Sequence, residues 1–141
     1  MQSPSYLTLL ATQDSRKQPA VSQTTGIAHI ERRGESVTIR LTERMDVFSA
    51  PLLMDEFERL LSEGVLHFTV DLTPVRLVDA DGDYPLLHLL KCAQEAGGSV
   101  ILVCPEGNPV RIFYEMMRLD TLFEMAKTLE EAQVRDDQGP R

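Results

Sequence analysis

Four consecutive apolar residues, Val100-Ile101-Leu102-Val103, most constrain what this chain can fold into. A strand with one wet face alternates apolar and polar residues, whereas an unbroken run needs cover on both faces. Parallel sheets flanked by helices supply that cover. Just upstream, Gly97-Gly98 ends a leucine-rich helical stretch with Leu86, Leu87, Leu90 and Ala93 facing inward. Before that stretch, Leu66, Phe68, Val70 and Leu72 alternate with His67, Thr69 and Asp71, and Thr73-Pro74 breaks the pattern. Strand, helix and buried strand in this order form a βαβ unit with a right-handed parallel crossover. The fold class is therefore α/β.

The remaining segments fit the same class. Ile27 and Ile30 are interleaved with His29, Glu31 and Arg33. After a Gly34-Glu35 turn, Val37, Ile39 and Leu41 alternate with Thr38, Arg40 and Thr42. This is the pattern of an antiparallel hairpin with one buried face. Asp46 to Ser49 then opens a helix, with Ser49 as N-cap and Pro51 in the first turn, where a missing N–H does no harm. Leu53, Phe57, Leu60 and Leu61 make its apolar stripe. Asn108 caps a third helix with Pro109 at its first position; Val110, Phe113 and Met117 face in, and Arg111, Glu115 and Arg118 face out. Leu122 to Met125 reads as a short strand, and Thr128 caps a last helix containing Leu129 and Ala132. The reading is one domain over residues 26–134. A flexible polar arm (1–25) precedes it and a polar tail (135–141) follows.

Charge narrows the function classes. The net charge of −8 and pI near 4.8 disfavour nucleic acid, whose phosphates call for Lys and Arg. No apolar run approaches a membrane span, and Leu7, Leu9 and Leu10 have no basic region before them, so no membrane insertion or signal peptide is expected. Cys92 and Cys104 match no zinc spacing and read as reduced, mostly buried thiols of a cytoplasmic protein.

The stretch Val75 to Lys91, VRLVDADGDYPLLHLLK, concentrates the possible chemistry. Asp79-Ala80-Asp81-Gly82 after an apolar run has the outline of a haloacid-dehalogenase-type phosphatase motif. Asp79 would be the nucleophile, Asp81 the acid/base, and Mg²⁺ the cofactor. That motif wants Thr or Val where Asp83 stands, and a second acidic pair on a strand; Asp136-Asp137 follows none. Asp79, Asp81 and Asp83 also begin like a calcium loop. Tyr84 then occupies the place of the obligatory Gly, and Leu90 that of the bidentate Glu. His29, His67 and His88 share no ligand or triad spacing. No cofactor, metal or catalytic residue is assigned.

Taken in order, the segments resemble the STAS domain, the fold of anti-sigma-factor antagonists and of the cytoplasmic part of sulfate transporters. Leu41 to Ala50, LTERMDVFSA, is similar to that family's strand, turn aspartate (Asp46) and helix start. VRLVDADG after Val70–Leu72 is similar to its strand and Asp-Ser-Ser/Thr-Gly loop, Ala96-Gly97-Gly98-Ser99-Val100 to its Gly-Gly turn, and Arg118 to Phe123 with Leu129-Glu130-Glu131-Ala132 to its C-terminal signature. The resemblance implies a mixed sheet of about four to five strands with helices packed on it. It also implies a non-enzymatic regulator that switches partners. In such antagonists a kinase phosphorylates the Ser or Thr after the loop Asp, and only the unphosphorylated domain holds the anti-sigma factor.

Carried over residue by residue, the loop Asp is Asp79, the phosphorylation position is Ala80, the next hydroxyl position is Asp81, and the glycine is Gly82. Ala80 cannot accept phosphate. Asp83 replaces the usual apolar residue, and Pro85 falls where the family's helix is under way, which predicts a longer loop and a helix starting near Asp83 or Tyr84. The implied partner surface is Asp46 with Asp79, Ala80, Asp81, Gly82 and Asp83. The implied partner is an anti-sigma factor of the serine-kinase-like type or another regulatory protein. The alternatives are a STAS subunit bound to a cytoplasmic transporter ATPase, a degenerate STAS domain that only assembles into a larger complex, and the Mg²⁺-dependent phosphatase.

Overall fold

A computed structural model describes residues 20–42 and 44–137. The strands are β1 (Val21–Thr24), β2 (Ala28–Arg33), β3 (Ser36–Leu41), β4 (Arg44–Met45), β5 (His67–Asp71), β6 (Leu77–Val78), β7 (Ser99–Val103) and β8 (Glu124–Ala126). The helices are α1 (Ala50–Ser62), α2 (Ala80–Glu95), α3 (Pro109–Met116) and α4 (Leu129–Asp137), with a 3₁₀ turn at Leu119–Thr121. Six strands form one sheet in the order β1-β2-β3-β5-β7-β8; β4 and β6 pair separately. The β1-β2-β3 meander is antiparallel, and β3, β5, β7 and β8 run parallel.

The mixed α/β architecture is the expected one, with one strand more in its main sheet than expected. Val21–Thr24, placed in the flexible arm by its polar sequence, is a strand. Its four residues are all exposed and show no alternation, so pairing with β2 rather than burial makes it a strand. Residues 1–19 lie outside the described residues. At the other end, α4 runs through Asp137, taking in the first residues of the segment read as a tail.

β7 is covered on both faces, as its apolar run requires. Val100 and Leu102 join the main core with Leu53, Phe57, Leu86, Leu89 and Tyr114 of the helices, while Ile101 and Val103 meet Ala126, Leu129 and Ala132 on the other side. Gly98 enters this strand where a Cβ would stand 1.9 Å from the Leu66 carbonyl oxygen, so the close approach excludes any side chain. β5 departs from its alternating pattern: Thr69 and Asp71 are buried too. Asp71 is satisfied there by the backbone N–H and hydroxyl of Thr73, with the Arg40 guanidinium at 3.9 Å.

Both cysteines are free. Burial pushes the Cys104 thiol up to about 12, far from the thiolate form that reacts. Cys92 is half-buried on α2. An aromatic disulfide reagent is expected to titrate Cys92 alone in the folded protein and both thiols in urea. Native-state modification of Cys104 at a comparable rate would contradict this packing.

Candidate functional site

Two chain segments leave the short β4–β6 ribbon side by side and build one surface. Parallel pairing of Arg44 with Leu77 and Met45 with Val78 sets their register. β4 delivers the Asp46 turn, and β6 delivers the first turn of α2. They touch through backbone: the Asp79 N–H donates to the Met45 carbonyl at 3.1 Å. Gly82 lies on the same carbonyl, and a Cβ built on it would sit 1.8 Å from the Met45 oxygen and 2.4 Å from the Asp46 nitrogen.

The Asp46 turn is held by its own carboxylate. Asp46 is buried, and its Oδ1 accepts from the backbone N–H groups of Phe48 and Ser49, both at 3.0 Å. Arg44 donates to Oδ2 at 3.3 Å. The Ser49 N–H, followed by the Arg44 side chain and the Phe48 N–H, keeps this carboxyl below the usual carboxylate range despite its burial. Its contribution to stability is therefore present above that range and is lost as pH falls through the depressed pKa. Ser49 stands at the N-cap of α1 as expected, but its hydroxyl makes no cap bond; it accepts from the Asp46 N–H instead.

α2 begins earlier than the sequence predicts, at Ala80 rather than near Asp83 or Tyr84, and the loop is correspondingly short. The Asp79 side chain caps it, accepting from the Gly82 N–H at 2.8 Å, and the Asp79 carbonyl accepts from the Asp83 N–H. Pro85 is inside the helix and buried. It costs one helix hydrogen bond, and the cap together with the burial of Pro85 and Leu86 outweighs that loss. The inward face also differs from the expected one: Leu89 is fully buried with Leu86 and Ala93, while Leu87 and Leu90 are only partly so.

The three aspartates consequently point three ways. Asp79 serves its own helix, Asp81 is exposed at the first turn, and Asp83 is 2% exposed. The Tyr114 hydroxyl of α3 donates to the Asp83 carboxylate. Burial holds the Asp83 carboxyl above its usual range, and the Tyr114 bond pulls it partly back. Among the described residues no group of three His, Cys, Asp or Glu side chains is placed to hold a metal ion. Ala80 is exposed at the first helical position.

Two residues with a place in or beside this site carry only a faint signal in the sequence. Phe48 projects from the Asp46 turn and is 80% exposed. It falls off the Leu53-Phe57-Leu60 stripe, and that misfit was its readable signal. Tyr114 is fully buried, four residues after Val110 on the same helix face, whereas Met117, expected to face in, is exposed beyond the end of α3.

A family model for the STAS domain matches residues 24–132. The chain belongs to the STAS domain family. Solved structures share its fold. A Thermotoga maritima protein assigned to the anti-sigma factor antagonists is 19% identical, with 82% of this chain and 92% of that one covered and a TM-score of 0.66. An anti-sigma factor antagonist of Mycobacterium paratuberculosis is 18% identical over 86% and 97% of the two chains, with a TM-score of 0.61. The anti-sigma factor antagonist SpoIIAA of Bacillus, in its unphosphorylated form, is 15% identical over 86% and 99%, with a TM-score of 0.59. A search of the curated proteins finds no match. No helix of this STAS domain, among the described residues, is long and apolar enough to cross a membrane.

Proposed function

We propose that this STAS domain is a non-enzymatic regulator of the antagonist type that acts in the bacterial cytoplasm. It binds a serine-kinase-like anti-sigma factor through the Asp46 turn and the residues Asp79 to Asp83. It does so without a phosphorylation switch at the usual loop position. The observation that carries this reading is Ala80, exposed at the first position of α2 beside the Asp46 turn. SpoIIAA is known in unphosphorylated and phosphorylated forms, and the side chain at position 80 has no oxygen to take a phosphate. Asp81 next to it supplies a single permanent negative charge, where a phosphoserine would bring about −2 and three acceptor oxygens.

The test pairs wild type with Ala80→Ser, a change at an exposed position. Both are incubated with the serine-kinase-type anti-sigma factor of the source organism and ATP, and phosphate is located by mass spectrometry. The expected result is stable complex formation by wild type with no phosphate between Asp79 and Asp83, and phosphate on the serine of the variant. Phosphate on the wild-type loop refutes the missing switch. No complex with any such kinase, together with recovery of a transporter ATPase from native cells, refutes the antagonist reading.

A further inference from the structure

This inference rests on the reading of the Asp46 turn and the start of α2 as the partner-binding face, and it specifies the chemistry of the partner. Phe48 is the most exposed large apolar side chain among the described residues. Its neighbours along the chain, Val47 and Leu52, are exposed as well, and so is Tyr84 near the start of α2. A phenyl ring left in water forgoes about 1.5–3 kcal/mol of burial. This ring does not hang from a loose loop. Its own N–H and that of Ser49 both donate to the buried Asp46 carboxylate, which fixes the backbone from which it projects. A rigid, protruding aromatic is the form that interface anchors take, because little conformational freedom is lost when it is seated.

Charge decides what surrounds the seat. Asp79 and Asp81 are exposed on the α2 side of Phe48, held there by the Gly82 contact with the Met45–Asp46 backbone. The Arg44 guanidinium, on the strand that leads into the turn, is turned onto Asp46 at 3.3 Å. Arg76 lies three residues upstream of Asp79, about 10 Å back along an extended chain. The flank of the knob is therefore acidic. We propose that Phe48 seats in an apolar socket of a protein partner whose rim carries Arg or Lys side chains that meet Asp79 and Asp81. A socket with an acidic rim is rejected by the same two carboxylates. A second exposed apolar group among the described residues, Ile112, Met116 and Met117 around the end of α3, is interspersed with Arg111, Glu115 and Arg118, and serves as the control surface.

The experiment places the photo-cross-linking amino acid p-benzoylphenylalanine at position 48, and separately at 116, in the full chain in its source cell. Cross-linked peptides are sequenced, and the partner found is titrated against Phe48→Ser, Phe48→Trp and Asp81→Lys. The expected result is cross-linking from 48 to an apolar segment with a neighbouring Arg or Lys. Affinity should fall about 30-fold for Phe48→Ser, stay within a few-fold for Phe48→Trp, and fall at least about 10-fold for Asp81→Lys. Loss of binding in Asp81→Lys with Phe48→Ser unchanged overturns the anchor and leaves the partner-binding face standing. A cross-linked segment without a basic residue overturns the rim. No cross-link from 48 overturns the inference; cross-linking only from 116, with all three variants binding normally, overturns the reading beneath it as well.

Discussion

Gly82→Ala is expected to destabilise the domain by about 3 kcal/mol, against the usual gain of up to about 1 kcal/mol when alanine replaces a helical glycine. The added methyl group would lie 1.8 Å from the Met45 oxygen, 2.0 Å from the Met45 carbon and 2.4 Å from the Asp46 nitrogen. All three atoms are backbone, so no rotamer change relieves the clash. β4 and α2 must part, and the Asp79 N–H bond to Met45 goes with them. Urea unfolding reads the loss, with Gly26→Ala as the control because a Cβ there meets nothing within 4 Å. A Gly82→Ala protein as stable as wild type would contradict the packing of the two site segments on each other.

The second large effect concerns Asp83 and Tyr114. Tyr114→Phe leaves a buried carboxylate without its hydroxyl donor, at an expected cost of about 1–3 kcal/mol near neutral pH. The cost depends on pH in a definite direction. The Asp83 carboxyl titrates above its ordinary value in the folded protein because of burial, and the Tyr114 bond works against that rise. The folded state thus holds a proton to higher pH than the unfolded chain does. Stability linked to Asp83 is fully present below the ordinary carboxylate range and declines as pH rises through the elevated one. Without the Tyr114 hydroxyl the elevation grows, so the deficit of Tyr114→Phe relative to wild type should widen from acid to neutral pH. Asp83→Asn should remove this part of the pH dependence. A deficit that is the same at both pH values would show that the lost bond does not bear on the charged form.

How far the sequence disclosed these arrangements varied with the range of the forces involved. The Val100–Val103 run announces a strand with two covered faces because hydrophobicity is a property of the residue itself. Asn108 announced a cap because the bond is local, and its side chain does accept from the Val110 and Arg111 N–H groups. The start of α2 differs from the expected one because proline as helix breaker is a local rule, and the Asp79 cap and the burial of Pro85 and Leu86 oppose it. Asp83 read as one of three clustered surface acids, since nothing within a few residues reveals a partner 31 positions away. β1 carried no pattern at all, because an exposed edge strand takes its shape from its neighbour. The family resemblance singles out Gly82, while the reason the structure gives for a glycine there, the Met45 carbonyl, belongs to a different segment.

Pro85 has a mechanical consequence. It denies the Asp81 carbonyl its helix partner, so the ladder that would tie the first turn of α2 to the rest of the helix lacks a rung there. That turn is gripped from outside as well, by Met45 through Asp79 and Gly82, and by Tyr114 through Asp83. The tip of this helix is a part of the floor on which it stands.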